Sequence, residues 1–340
     1  MSNQRTTARL LPSAADVLLN LLLGQQTKQG PYFGQFGDHA DQSRDHQPSS
    51  LKDISTKPRL YMTLWPCRVL RRHGLAEDAV SNAITGVKGL FERGVVPGEE
   101  DSNPIPPRER FTSYRHSICG ALILFEMSGR NPITDGVLGQ MLDAQTPWRM
   151  PDGGWAHGDA PPPKSDLYTT LYAIELLEGI RLSPEADDEL AHSVEQPLKS
   201  SLDYLQREWD TNNWSYGRLK SAESFPLAFA EVAGILQECR AELFAAVVNE
   251  ILLNRNPAGG LRAEYRAKVK ARVSDESCLA RLAYASFLAQ QPKRIWGGFA
   301  KRALAGNLGT LTSAELSWLL DIELATGISS VRWNLESTSK

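Results

Sequence analysis

The chain has 340 residues, and its 37 lysines and arginines against 40 aspartates and glutamates give a net charge of −3. This balance, without a recognised base-reading motif, argues against a nucleic-acid-binding protein. No run approaches the roughly 20 apolar residues of a membrane span, although peripheral contact with a membrane surface stays open. A chain of this length can form one large domain, and we predict a single domain over residues 1–340.

The first predicted element is an outer helix that follows Ser13, a typical N-cap residue. Arg5 and Arg9 precede its apolar stretch, but Asp16 and Asn20 interrupt that stretch and no small-residue cleavage site follows, unlike a secretory leader. The cysteines lie in apolar helical stretches without the spacing of a disulfide framework, which favours a reducing, cytoplasmic compartment. These cysteines are Cys67, Cys119, Cys239 and Cys278.

Helix starts of similar sequence recur along the chain. Three of them carry a tyrosine, at Tyr61, Tyr114 and Tyr168, and these tyrosines are 53 and 54 residues apart. A regular period of this size is typical of stacked helical units. Similar starts follow near residues 223, 274 and 313, the last after a shortened repeat. The sequence therefore predicts six repeats.

Short segments rich in glutamine, glycine and aromatic residues precede most of these helix starts, and we call each of them a knuckle. The clearest knuckle is 145–158, which contains Asp152-Gly153-Gly154-Trp155. Glycine supplies the backbone that ends a helix, the aromatic residue fills the gap to the next helix, and glutamine can bond free backbone groups at helix ends. We interpret the knuckles as structural staples, because a feature that recurs in a repeat is usually architectural. The other predicted knuckles are 25–34, 206–217, 256–261 and 291–299.

The predicted inner helices are more apolar than their outer partners. Residues 119–125 and 167–177 are almost unbroken apolar stretches, whereas 184–195 carries the charges of a solvent-facing helix. No segment shows the sustained alternation of a strand, so we predict an all-α chain. Six helix pairs can close into a ring, an (α/α)6 toroid. A polar loop near 37–57, expected to act as a lid, and a C-terminal tail, 327–340, complete the prediction.

The motif pair in the third repeat resembles a known superfamily. Asp152-Gly153-Gly154-Trp155 behind a glutamine, followed by Ser165-Asp166-x-Tyr168-x-Thr170, is similar to the QW-like repeat of the terpene cyclase and protein prenyltransferase toroids, which include the squalene-hopene cyclases. As a repeat pattern, the resemblance extends over about residues 12 to 325. It implies a toroid with a central cavity for an isoprenoid or a similarly apolar molecule.

The chemistries of that superfamily are matched only in part. Class II cyclases protonate their substrate with an aspartic acid in Asp-x-Asp-Asp or Asp-x-Asp-Thr-Thr, and here Tyr168 occupies the position of the acid after Asp166. A phenol, with a reference pKa of ~10, is a poor acid for this step. The prenyltransferases hold zinc with Asp, Cys and His; Asp275 and Cys278 resemble two of these ligands, but no histidine follows Cys278. We therefore predict no metal and no other cofactor.

Polar residues at the starts of the inner helices are predicted to face the mouth of the cavity. Asp166, with Asp275 or Glu276, would handle a proton, and Tyr168 and His116 would position it. The same residue types are ordinary helix caps and core residues, and that alternative stays open. The predicted catalytic residues are Asp166, Tyr168, His116, Asp275 and Glu276, and the predicted substrate-binding residues are Tyr61, Trp65, Tyr114, Trp155, Thr170 and Cys278.

A basic segment precedes the fifth inner helix. It contains Arg262, Arg266 and Lys268, whose charges can neutralise a diphosphate. We predict a diphosphate-binding role for these three residues. The alternative is a solvated loop.

Two functions follow from this sequence as hypotheses. The first is a noncanonical terpene-cyclase-like enzyme that acts on an isoprenoid or similarly apolar substrate in a central cavity. The alternative is a noncatalytic toroid that serves as a ligand- or protein-binding subunit of a larger assembly. A deep, aromatic-lined cavity with Asp166 at its mouth would favour the enzyme, and a filled interior would favour the binding subunit.

Overall fold

A computed structural model of the chain describes residues 13–29, 33–37, 60–92, 114–158, 163–210, 275–288 and 290–327. These residues are predominantly helical, with a short 3₁₀ turn at Leu308–Thr310 and one antiparallel pair of two-residue strands, β1 (Trp155–Ala156) and β2 (Ser165–Asp166). The helices are α1 (Ala14–Gly24), α2 (Leu60–Arg72), α3 (Glu77–Glu92), α4 (Tyr114–Ser128), α5 (Pro132–Leu142), α6 (Leu167–Arg181), α7 (Asp188–Asp210), α8 (Asp275–Leu288), α9 (Lys293–Leu304) and α10 (Ser313–Thr326).

The predicted helix starts agree with the structure wherever it describes them. Inner helices begin within about two residues of the expected positions at α2, α4, α6, α8 and α10. The start expected near residue 223 lies outside the described residues. Ser13 caps α1 as predicted, in a capping box with Asp16, and Thr312 and Glu315 form the same arrangement at α10. Local capping chemistry therefore determines where these helices begin.

Each described inner helix packs against an outer helix. α2 packs against α3, α4 against both α3 and α5, α6 against α7 and α8 against α9, while α1 packs on α10. The inner helices contact one another in the order α8, α10, α2, α4, α6. The first described helix therefore packs on the last described one, and the described residues form a row of five inner helices with outer helices packed against them. Residues 211–274, which include the end of the knuckle predicted at 206–217 and all of the one at 256–261, lie outside this description.

Two knuckles use glycine in the same way. Gly34 and Gly153 have φ angles of +78° and +88°, a conformation that L-residues with side chains rarely adopt. A Cβ atom at either glycine would overlap a backbone carbonyl of the neighbouring outer helix, that of Asn82 in α3 or of Ser200 in α7. The glycines therefore permit a close approach between knuckle and outer helix.

The residue two positions after each of these glycines also has a matching contact. The Phe36 N–H donates to Thr63 Oγ1 at 3.1 Å, and the Trp155 N–H donates to Thr170 Oγ1 at 3.0 Å. Both threonines lie in the first turn of the next inner helix. The interpretation of these two knuckles as structural staples is confirmed.

Glutamine plays the expected role in the first knuckle but not in the clearest one. Gln25 Nε2 donates to the Leu311 carbonyl at 3.0 Å, and Gln26 Nε2 donates to that of Ala79 at 2.7 Å. Gln145, at the start of the third-repeat knuckle, is exposed. Of these two described knuckles, glutamine therefore acts as a staple in the first and not in that of the third repeat.

The knuckle predicted at 291–299 is wrong. Trp296 and Phe299, with the two glycines between them, lie inside α9. A glycine costs only about 1 kcal/mol in a helix interior. Trp296 and Phe299 are three residues apart, so they share one buried face, and burying both aromatic rings outweighs that cost.

The remaining expectations concern membrane spans, the cysteines and the segments predicted as lid and tail. Within the described helices, none combines the length and the apolarity needed to cross a membrane. Cys67 and Cys119 are buried thiols, and burial raises the pKa of Cys67 to about 12 and also raises that of Cys119. Apart from their first residues, the predicted lid near 37–57 and tail 327–340 lie outside the described residues.

Candidate functional site

The starts of α4 and α6 bring three predicted catalytic residues to one region, which we call the mouth cluster: Arg115, His116, His157, Asp166 and Tyr168. Asp166 precedes the first residue of α6 and is its N-cap. Its Oδ1 accepts hydrogen bonds from the Thr169 N–H at 2.8 Å and from Thr169 Oγ1 at 2.7 Å. Asp166 therefore has a structural role as the helix cap, which is the alternative that the sequence left open for it.

A buried cation of the mouth cluster, Arg115, was missed by the sequence prediction. Arg115 is only 6% exposed, and its guanidinium carbon lies 4.9 Å from the Tyr168 ring centroid and 6.0 Å from that of Tyr172. A guanidinium over aromatic faces is a favourable cation–π arrangement. Tyr168 is itself buried, so its ring supports Arg115. Arginine at the second position of a helix start carries no motif signal, and only the packing of α4 on α6 reveals this contact.

Two histidines lie at the accessible side of the cluster. The ring centroids of His116 and His157 are 6.3 Å apart, and the backbone N–H of Arg115 donates to the backbone carbonyl of His157 at 3.2 Å. Desolvation of the His157 ring, and then the charge of Arg115, lower its pKa, while Asp166 acts in the opposite direction. His157 is therefore neutral near pH 7 and can accept a proton. The sequence prediction did not select it, because it follows β1 and does not lie at a helix start.

The predicted substrate-binding residues of this region are used within the fold. Tyr114 stacks on Trp148, with ring centroids 4.9 Å apart, and both are buried. Thr170 Oγ1 donates to the Asp166 carbonyl at 2.8 Å and accepts the knuckle N–H described above. The indole N–H of Trp155 donates to Ser201 Oγ at 2.8 Å, in α7. These contacts favour the structural alternative for all three predicted residues.

The remaining predicted residues do not join the mouth cluster in the described structure. Glu276 lies against the turn after α9, where its Oε1 accepts a long hydrogen bond of 3.4 Å from the Asn307 N–H. Tyr61, Asp275 and Cys278 belong to α2 and α8, but their side chains lie outside the description. The same is true of the whole predicted diphosphate-binding set, Arg262, Arg266 and Lys268.

Aromatic residues of three inner helices meet in the middle of the row. We call these residues, Trp65, Tyr284 and Trp318, together with the ion pairs described next, the middle layer. Trp65 of α2 lies 5.7 Å from both Tyr284 of α8 and Trp318 of α10, measured between ring centroids. Tyr284 and Trp318 stack at 5.6 Å. None of the three rings is more than 4% exposed. Trp65, predicted to bind substrate, is therefore a core residue that contacts both α10 and the helix beyond it, α8.

An ion-pair cluster continues this middle layer toward α6. Arg68 of α2 donates through Nε to Glu126 of α4 at 2.8 Å, and its Nη2 lies 2.7 Å from Glu175 of α6. Burial opposes the charge of Arg68, but the two carboxylates raise its pKa. Because α4 lies between α2 and α6, this one side chain connects helices that are not neighbours in the row.

Buried carboxylates of α10 are paired in a similar way. Asp321, 2% exposed, lies 2.7 Å from Arg72 Nη1 and 2.8 Å from His73 Nε2, and accepts the Tyr284 hydroxyl at 3.0 Å. Glu315 is fully buried and lies 2.8 Å from Arg281 of α8. The described residues therefore do not form the predicted apolar, aromatic-lined cavity here. They form a packed layer of aromatic rings and paired charges.

An open cleft of about 370 Å³ lies elsewhere, between the third-repeat knuckle and α7. Its walls are polar and include Asp152, Asp203 and Arg207. Arg149 crosses between the walls, donating to Gln196 Oε1 at 2.9 Å. The cleft does not have the apolar lining expected for an isoprenoid.

No group of three or more metal-ligating side chains occurs among the described residues. Comparison with known proteins adds no family. No protein-family model matches the chain, and no curated protein matches it. The superfamily resemblance therefore rests on the sequence motifs alone.

Proposed function

We propose that this chain is a noncatalytic (α/α)6 toroid that serves as a binding subunit of a larger assembly in the cytoplasm. The ordered row of five inner helices, each with an outer partner, supports the toroid. The sixth helix start that the sequence predicts, near residue 223, lies outside the described residues. The packing of α1 on α10 supports a closed arrangement, because it joins the first and the last described helices. The buried thiols of Cys67 and Cys119 are consistent with a reducing compartment.

The filled middle layer carries this proposal. Arg68 reaches from α2 to Glu175 of α6, and Trp65 reaches from α2 to Tyr284 of α8. Both contacts pass a helix that lies between, so they occupy the space in which the resembled cyclases hold their substrate. An apolar substrate in this layer would also have to separate buried ion pairs. Leaving one partner of such a pair uncompensated costs about 3–5 kcal/mol.

The role of Asp166 in the fold gives independent support. Its Oδ1 accepts two hydrogen bonds from Thr169 and caps α6, so this residue already has a structural function. Tyr168 occupies the position of the acid in the resembled motif, and a phenol is a poor acid for that step. We therefore expect the chain to bind a partner protein, or a ligand outside the middle layer.

Product analysis separates the two hypotheses. We expect purified protein to give no product with farnesyl diphosphate, geranylgeranyl diphosphate, squalene or oxidosqualene. We also expect native mass spectrometry of the chain isolated from its own cells to show a stoichiometric complex. Cyclic products that disappear in an Asp166→Asn variant would contradict the proposal and identify the proton source.

A second candidate function is favoured by the mouth cluster. His157 is accessible and neutral, and it lies beside Asp166 and His116, as a general base does in a proton-transfer site. In this alternative the chain is an isomerase- or cyclase-like enzyme whose polar-headed apolar substrate binds above the middle layer, and His157 replaces Asp166 as the group that moves the proton. Turnover would fall as His157 gains a proton at acid pH, and a His157→Gln variant would lose roughly 10²–10⁴-fold in rate.

A further inference from the structure

The first knuckle forms a short two-stranded ribbon. The Thr27 N–H donates to the Gln35 carbonyl at 2.8 Å, and the Gly37 N–H donates to that of Gln25 at 3.2 Å, on either side of a bridge between Gln26 and Phe36. Side chains alternate between the two faces of such a ribbon. Gln25, Gln35 and Gly37 therefore share one face, with Gln25 opposite Gly37 and diagonal to Gln35.

Two glutamines on this face are buried with unsatisfied polar atoms. Gln25 and Gln35 are 2% and 0% exposed. Gln25 Oε1 and both polar side-chain atoms of Gln35 have no hydrogen-bond partner. Since both atoms of the Gln35 amide are unsatisfied, turning the amide over would not remove the problem. Buried amides of native proteins are almost always hydrogen-bonded, so we expect an additional hydrogen-bonding partner at this face.

The two glutamines are diagonal neighbours on this face. Diagonal neighbours across a ribbon have Cα atoms about 7–8 Å apart, a distance that long side chains can span. Gly37, opposite Gln25, has no side chain, and the half-buried Thr27 lies opposite Gln35 on the same face. A buried water typically bonds two to four otherwise unsatisfied polar groups, and the two amides supply such groups here.

We propose that this face holds at least one ordered water, which accepts a hydrogen bond from Gln35 Nε2 and donates one to Gln25 Oε1. The site lies where the first knuckle contacts the start of α10. Gln25 Nε2 donates to the Leu311 carbonyl, and the Ser313 N–H donates to the Gly37 carbonyl at 3.4 Å. The water thus fastens the first knuckle to the start of α10. The inference does not depend on the proposed function.

A high-resolution crystal structure of the whole chain tests the site directly. We expect density for a water within hydrogen-bonding distance of Gln35 Nε2 and Gln25 Oε1, and its loss in Gln35→Met, which keeps the side-chain length without the amide. A direct bond between the two glutamines, with no water, would overturn the proposal.

Amide hydrogen exchange provides a second readout in solution. In Gln35→Met we expect exchange at the Ser313 and Gly37 N–H groups to accelerate roughly fivefold, the factor that loss of one net hydrogen bond produces. Gln145→Met, at an exposed glutamine of another knuckle, is the matched control and should leave both rates unchanged. Slower exchange in Gln35→Met would mean that the Gln35 amide is buried without a bound water and destabilises this contact, against the proposal. If that variant does not fold, the wild-type crystal structure still decides.

Discussion

At the scale of single residues, Arg68 shows how much one side chain can contribute to this fold. Its side chain is 12% exposed, and it neutralises carboxylates from two other helices, Glu126 at 25% and Glu175 at 15% exposure. The two carboxylates are thus largely buried and share the charge of Arg68. A buried pair adds little over an apolar alternative, but removing one partner is costly because the other is left unpaired.

Arg68→Met is therefore expected to be strongly destabilising. Because these groups keep some contact with solvent, we expect a loss of about 2–3 kcal/mol in the free energy of unfolding, below the range for fully buried pairs. Urea unfolding measures it. The control is Arg130→Met, at the more exposed pair with Asp135, which should cost less than about 1 kcal/mol. Equal losses in both variants would show that the Arg68 cluster is no more than a surface ion pair.

The mouth cluster predicts a pH dependence through His157. Its pKa in the folded chain is lowered, chiefly by desolvation and then by Arg115, below the ~6.5 of an unperturbed histidine. Below pH ~6.5 the unfolded chain therefore binds a proton that the folded chain does not, and stability falls as the pH falls through this window. We expect the stability advantage of wild type over His157→Gln to shrink from pH 7.5 to pH 5. An NMR titration midpoint for His157 above 6.5 would contradict the assignment.

At the scale of helices and knuckles, glycine acts in two opposite ways. Gly298 lies inside α9 with ordinary helical geometry, and a Cβ atom there would meet no atom within 4 Å. Gly153 has a φ of +88° and touches the backbone of α7. The first glycine is a cost to its helix, and the second is required by its knuckle.

Alanine at these two positions should shift stability in opposite directions. Gly298→Ala is expected to raise the free energy of unfolding by about 0.5–1 kcal/mol, because it reduces the freedom of the unfolded chain and suits a helix interior. Gly153→Ala should lower it by more than that amount, because both the φ angle and the contact with Ser200 become strained. Thermal unfolding of the two variants side by side provides the measurement. A stabilised Gly153→Ala would show that the knuckle backbone can relax, against its assigned role.

Sequence reasoning succeeded for elements that are defined by local chemistry. Ser13 was expected as a cap and is one, and capping, the alternative left open for the predicted catalytic residue Asp166, is what the structure shows. A cap depends on atoms only three residues away. The helix through Trp296 was missed because a glycine pair usually interrupts a helix, and only burial of its aromatic face against the rest of the fold reverses that preference.

At the scale of the whole molecule, the question is whether the middle of the row is packed or hollow. Trp65 is 4% exposed and touches aromatic rings of α8 and α10. A residue that lines a ligand cavity can be truncated with modest loss, because it already lacks contacts on one side. A residue of a packed core leaves a new cavity when it is truncated.

Trp65→Ala is expected to cost about 3–5 kcal/mol of unfolding free energy if the layer is packed. Chemical denaturation measures this loss, with Leu182→Ala, at a side chain that is 65% exposed, as the control expected to stay within about 0.5 kcal/mol. A small effect of Trp65→Ala would instead mean that a cavity adjoins this ring, and it would revive the enzyme hypothesis.

The sequence alone determined the helical class, the starts of the described inner helices and the use of two knuckles as staples. These features depend on caps, glycine conformation and apolar periodicity, all of which act over a few residues. Only the tertiary structure decided that Arg115 covers Tyr168, that His157 lies beside Asp166, and that Arg68 fills the middle layer. Arg115 and Tyr168 are 53 residues apart, and Arg68 and Glu175 are 107 residues apart, so their contacts depend on how the helices pack together. His157 and Asp166 are only 9 residues apart, but no local capping or periodicity signal brings them together.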